Sequence, residues 1–225
     1  MLSTSILGTS LRHRASQDSL RNQAYQRIKE RIISGAMLPA SLIDEEALTR
    51  ELKLGYTPIR QALRWLALEN LVVILPRRGT IVADVNAGDL QKIYEVRIQL
   101  VPYAFQLAAK RATPAQILAL EATMADAKDI IASGTPAQLL AVDRKMQGLV
   151  IEASRNEFLI EILERLHSQV MRFWRIERIH EPDLRKEVRQ LRQVVAAVKA
   201  RNGRRSGKVI RDIIFEFHRA QMAEI

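Results

Sequence analysis

The chain has 225 residues, 48% of them hydrophobic, which admits one large domain or two smaller ones that each build a core. Lys and Arg number 35 against 25 Asp and Glu, a formal charge of +10, and the excess points to a polyanion, nucleic acid ahead of an anionic membrane surface. The absence of cysteine excludes disulfides, thiol nucleophiles and cysteine-ligated zinc, and fits a reducing cytoplasm.

Residues 1–20, "MLSTSILGTSLRHRASQDSL", lack the continuous apolar core of a secretory signal and are expected to form a flexible tail. No run approaches the roughly 18 apolar residues that cross a bilayer, so no membrane partner is expected. From Asn22 the spacing of Ala24, Tyr25, Ile28, Ile32 and Ile33 predicts a helix with one apolar face, ended by Gly35 and Pro39. Asp44 is the expected N-cap of a short helix from Glu45 to Leu52. After the turn "LKLG", Thr57 is expected to cap a third helix, with Pro58 at its first position. That helix would bury Ile59, Ala62, Leu63, Leu66 and Ala67. "LVVIL" and "TIVA" then read as two strands around the cationic tip "PRRG". Three helices and a hairpin make a winged helix-turn-helix, whose third helix enters a major groove while the wing lies along the backbone.

After Asp84 strand signals stop. Amphipathic segments near 88–111, 114–133, 136–154, 156–177, 182–201 and 205–222 predict an all-α bundle of six helices. The expected organisation is a tail over 1–20, a DNA-binding domain over 21–84, and an all-α domain over 85–225. Nothing suggests an enzyme: there is no serine-histidine elbow, no paired catalytic groups and no glycine-rich phosphate loop.

The stretch "YQRIKERIISGAMLPASLIDEEALTRELKLGYTPIRQALRWLALENLVVILPRRGTIVA" resembles the DNA-binding domain of the GntR family of bacterial transcription regulators. "DLQKIYEVRIQL" and "EASRNEFLIEIL" resemble the FCD-type effector domain of its FadR-type branch, and six helices suggest the VanR-like group. The resemblance implies a cytoplasmic homodimer that reads an inverted repeat in double-stranded DNA. Tyr56, Thr57, Arg60, Arg64, Arg77, Arg78 and Gly79 occupy the implied DNA-binding positions. Gly55 and Tyr56 stand where the family commonly has Ser and Arg, and a tyrosine cannot make the forked contact to guanine.

Many members of this branch hold a divalent metal between one Asp and three His. The matching positions here read Asp143, Gln147, Leu191 and Ile213, so no metal and no cofactor are expected. His218, five residues past Ile213, is rotated by roughly 140° on an ideal helix and is expected to face elsewhere. His167 and His180 are expected to face solvent. Asp143 should pair with an arginine such as Arg97, or stay protonated. Arg97 belongs to the pattern Glu-x-Arg, whose arginine points into the family's cavity. The alternative for it is a surface charge or a partner within its own helix. An effector would then be a small carboxylate held by Arg97, Asp143 and Gln147 without a metal bridge. The competing reading is a constitutive or partner-controlled DNA binder whose effector domain takes no ligand.

Overall fold

In the computed structural model, residues 4–84, 86–125, 127–177 and 183–222 are described. The first helix, α1 (Thr4–Ile33), buries Ala24, Ile28 and Ile32 at four-residue intervals. It starts at Thr4 rather than near Asn22, so residues 4–20 of the expected tail are helical. No proline interrupts it, and its Leu, Arg, Gln and Ala cost a helix little. β1 (Leu42–Ile43) is a two-residue strand that the hairpin reading did not include.

α2 (Glu45–Leu52) begins where its cap dictates: the Asp44 carboxylate accepts from the Ala47 N–H at 2.9 Å. α3 (Tyr56–Leu68) departs from expectation, because Gly55 and not Thr57 is its N-cap. Pro58 still falls within the first turn, where its missing N–H leaves no bond unmade. The Thr57 hydroxyl is thereby released from capping and exposed. β2 (Val72–Leu75) and β3 (Gly79–Val82) complete an antiparallel sheet of order β1-β3-β2, with Leu42 opposite Ile81 and Val72 opposite Val82. Leu48 and Leu52 of α2, Ile59, Leu63 and Leu66 of α3, and Val72 and Val82 of the sheet close one core with α1.

A polar cluster ties α1 to the end of α3. The Tyr25 hydroxyl and the Lys29 ammonium both donate to Glu69, the ammonium at 2.8 Å. Trp65 packs edge-on to Tyr25 at 6.0 Å, and the Arg21 guanidinium lies 3.8 Å over the indole.

The chain packs as two compact units. The first comprises residues 1–86 together with 171–177, the end of α8 (Glu157–Glu177). No reading along the chain assigns those last turns there. Within this unit Arg172 is 1% exposed and donates from Nη2 to the Ala83 carbonyl at 2.6 Å, securing the exit of β3. Burial pulls its pKa down to about 10, against the opposing charge of Asp84.

The second unit holds α4 (Ala87–Arg111), α5 (Pro114–Ala122), α6 (Ala127–Ser133), α7 (Pro136–Ala153), most of α8, α9 (Leu184–Lys199) and α10 (Gly203–Met222). Among the described residues these are seven helices where six were expected, because the segment 114–133 breaks after Ala122. The Thr123 hydroxyl donates to the Leu120 carbonyl at 2.6 Å, and the N–H groups of Thr123, Met124 and Ala125 turn to carbonyls three residues back. α10 lies close on α4 because small residues face it. A Cβ at Gly203 would meet the Gln106 carbonyl oxygen at 2.9 Å, and the Ser206 hydroxyl donates to the Phe105 carbonyl at 3.2 Å. Two arginines close helix ends: Arg111 donates to the Ser154 carbonyl at 2.7 Å and Arg201 to the Ala112 carbonyl at 2.6 Å. Among the described residues no helix is long and apolar enough to cross a membrane.

Candidate nucleic-acid interface and effector site

α3 is two-sided. Ile59, Ala62, Leu63 and Leu66 are buried, while Tyr56, Thr57, Arg60 and Arg64 are exposed on the opposite flank. Four-residue spacing puts Tyr56, Arg60 and Arg64 in one row. The row is organised before any partner arrives: Arg60 Nε donates to Glu45 Oε2 at 2.9 Å, and its guanidinium lies 4.9 Å over the Tyr56 ring. The Glu45 carboxylate raises the Arg60 pKa, so the guanidinium stays charged. Tyr56, read from sequence as a lost arginine, is thus also a platform for the arginine one turn on. Glu45 escaped the sequence reading because it lies fifteen residues earlier on α2, and no local spacing reveals the pairing.

At the tip of the β2–β3 hairpin, Arg77 and Arg78 are both exposed, and the Arg78 N–H closes the turn onto the Leu75 carbonyl at 3.1 Å. Gly79 has φ 96°, a conformation that excludes side chains, whereas Arg77 takes φ 62°, the left-handed region, despite carrying one. The expected hairpin residues therefore converge on one cationic turn.

In the second unit, Asp143 and Gln147 lie one turn apart on α7, and Gln147 Nε2 donates to Asp143 Oδ2 at 2.7 Å. Arg97 on α4 is 5% exposed and its Nε has no hydrogen-bond partner among the described residues. Desolvation lowers the Arg97 pKa, opposed by Tyr94 and then Asp143. Desolvation likewise raises that of Asp143, opposed by the Gln147 hydrogen bond and then by Arg97. Of the two outcomes expected for Asp143, an ion pair with Arg97 is not found among the described residues, while desolvation favours the protonated form. Each is close enough to feel the other's charge, while Gln147 takes the carboxylate.

The donor set does not fit a divalent metal. Gln147 turns an N–H toward Asp143, Leu191 is a buried aliphatic on α9, and Ile213 is a half-buried aliphatic on α10. The His218 ring stacks on Tyr94 with centroids 4.4 Å apart, one turn of α4 before Arg97. Burial lowers its pKa, and Glu95 opposes the shift. The rotation relative to Ile213 alone could not show this, because α4 supplies the contact. His167 is half-buried rather than solvent-facing, and His180 lies outside the described residues.

Residues 20–82 match the model of bacterial regulatory proteins of the gntR family, and residues 92–215 match the FCD domain. The chain is 28% identical over 183 residues to the uncharacterized HTH-type transcriptional regulator YdhC of Bacillus subtilis (strain 168), covering 80% of this chain and 81% of that one. It is 25% identical over 186 residues to the HTH-type transcriptional regulator McbR of Escherichia coli (strain K12), covering 82% and 84%. The solved structure of E. coli McbR/YncC superposes with a TM-score of 0.78 at 22% identity, over 91% of this chain and 98% of that one, a likeness of fold. With a winged helix ahead of an FCD domain, the chain belongs to the GntR family and is a transcriptional regulator, not an enzyme.

Proposed function

We propose that this regulator acts as a homodimer reading an inverted-repeat operator through α3 and the wing, and that a small organic acid bound in the helical unit controls it. The observation that carries the reading is the pairing of an exposed α3 row with a cationic hairpin tip, Tyr56, Thr57, Arg60 and Arg64 with Arg77 and Arg78. Tyr56 and Thr57 offer single hydrogen bonds or a methyl contact to base edges. Arg60 and Arg64 offer forked contacts to guanine or phosphate, and the wing arginines offer phosphate contacts that carry no sequence information.

For the effector, support comes from Arg97, a buried guanidinium with an unsatisfied Nε, beside a carboxyl whose ionisation its surroundings disfavour. A ligand carboxylate would satisfy the first without any metal, and Asp143 kept protonated would donate a hydrogen bond instead of repelling it. Control then needs only a difference in the ligand's affinity for DNA-competent and DNA-incompetent forms.

Selection of bound duplexes from a random pool tests the operator reading. Enrichment of an inverted repeat with half-site centres about 10 base pairs apart is expected. A single half-site, or no enriched duplex, sinks it. A thermal-shift panel of small carboxylates tests the effector reading: at least one should raise the melting temperature of the wild type and not of Arg97→Gln. If none does, the regulator is constitutive or controlled by a protein partner.

A further inference from the structure

The chain's positive charge is not concentrated where the operator reading places DNA. Residues 184–222 hold eleven Arg and Lys against three Asp and Glu, whereas residues 21–84 hold ten against seven. α9 and α10 run antiparallel: residues 200–202 link them, and Lys186 and Gln190 near the start of α9 reach Glu216 near the end of α10 at 2.5 and 2.8 Å. Val188, Leu191 and Val195 of α9, with Ile210 and Ile214 of α10, are buried on one flank. Arg185, Arg189 and Arg192 follow each other at four and three residues on the solvent side of α9, and Arg204, Arg205, Lys208 and Arg211 on that of α10. Both rows therefore lie on the solvent flanks of two adjacent antiparallel helices.

Most of this charge is uncompensated. Glu216 is engaged by Lys186, and Asp212 by Lys208 at 3.7 Å. Arg185, Arg189, Arg192, Arg204, Arg205 and Arg211 have no ion pair among the described residues. Gathering six such guanidiniums destabilises the unit by repulsion, and a polyanion laid on them reverses the sign. A second copy of the same face cannot do so, since it carries the same charge. A lipid surface would call for an apolar stripe between the cations. Among the described residues of α9 and α10, only Phe215 is a large apolar side chain exposed on this face. The cations are mostly arginine, whose forked donors match phosphate. Arg185 to Arg192 spans about 10 Å of helix, over which a duplex presents about six phosphate charges.

We propose that the solvent face of α9 and α10 is a second nucleic-acid surface, which holds the phosphate backbone of duplex DNA without reading its sequence. This goes beyond the operator reading and does not depend on it.

The test uses the full chain and a random-sequence duplex of about 60 base pairs. A wing-disabled variant (Arg60→Ala, Arg77→Ala, Arg78→Ala) should keep salt-dependent binding to that duplex. Adding Arg185→Gln, Arg189→Gln, Arg192→Gln, Arg204→Gln and Arg205→Gln should weaken it by about a hundredfold or more and flatten the log–log salt slope by about three to five units. Equal binding by the two variants overturns the proposal. So does unchanged DNA affinity accompanied by lost binding to phosphatidylserine vesicles, which would assign the face to lipid. Should the five-fold change disturb the helical signal or the melting temperature, the pairs Arg185→Gln/Arg189→Gln and Arg204→Gln/Arg205→Gln are read separately. Each should then remove about two units of slope, and the proposal fails if neither does. Persistence of sequence preference in the wing-disabled variant would instead sink the operator reading and leave this face untouched.

Discussion

The winged-helix unit and the helical unit treat polar groups in opposite ways. In the first, Tyr25, Lys29 and Glu69 bond one another, the buried Arg172 donates to the Ala83 carbonyl, and even the exposed Arg60 is held by Glu45 and Tyr56. In the second, among the described residues, Arg97 is buried with an unsatisfied Nε, Asp143 is pushed toward its protonated form, and six surface arginines have no ion pair. Net charge is therefore a poor guide to where a particular interface lies. The two units carry the same excess, five positive charges each, and the one that resembles a DNA reader fixes its cations by geometry. The other gathers its cations on α9 and α10, where six arginines have no ion pair among the described residues, which is what a site awaiting counter-charge requires.

The strongest way to break this comparison is to ask whether the two units melt separately. Leu63 is 1% exposed in the winged-helix core, and Leu63→Ala should cost about 2–5 kcal/mol. Calorimetry should then show an early transition moving down while a second stays in place. One transition moving as a whole would mean that the units unfold together and that their contrast is only local.

Arg172 sharpens the same question, since it is the guanidinium of the first unit that is most fully buried. Arg172→Met keeps much of the packed volume but strands the Ala83 carbonyl, and should cost about 1–3 kcal/mol in the transition that Leu63→Ala moves. A loss confined to the other transition would contradict the grouping of residues 171–177 with the winged helix.

Asp143 tests the buried polar groups of the second unit. Its folded pKa is raised above the ordinary carboxylate value of about 4, chiefly by desolvation. The stability it contributes is fully present below that ordinary value and is lost as pH rises through the raised one. The wild type should therefore lose melting temperature relative to Asp143→Asn as pH climbs from about 4 toward neutrality. Parallel curves would mean that the carboxyl finds a partner in solution.

How much of this was legible follows from the range of each interaction. The limits of α2 were readable because its cap, Asp44, and its apolar residues Leu48 and Leu52 lie within nine positions. The start of α3 was misread because Thr-Pro has the chemistry of a cap, yet Gly55 is already the N-cap that opens the helix. The break at Thr123 was invisible, as no glycine or proline marks it and the hydroxyl's choice of the Leu120 carbonyl shows only in three dimensions. Asp143 and Gln147 were legible as one turn of one helix. The Tyr94–His218 stack, the Glu45–Arg60 pair and the Arg172–Ala83 bond join positions far apart in sequence, and no pattern in a single chain reports such meetings.

The smallest expected effect separates stability from function at one residue of the wing. Arg77 holds φ 62°, where a side chain is disfavoured and glycine is not, so the tip carries strain that its guanidinium does nothing within the fold to relieve. Arg77→Gly should stabilise the first unit by about 0.5–1 kcal/mol, seen as a rise of about 1–4 °C in its transition. The same change removes one phosphate contact, so affinity for the selected duplex should fall severalfold and the salt slope should drop by about one unit. Arg77→Lys keeps both the charge and the strain, and should leave slope and melting temperature near those of the wild type. A more stable but weaker-binding Arg77→Gly would mean that the strained turn is retained for its contact with DNA. If Arg77→Gly bound as tightly as the wild type, the tip would be an ordinary hairpin, and the cationic geometry assigned to the winged helix would shrink to α3 and Arg78.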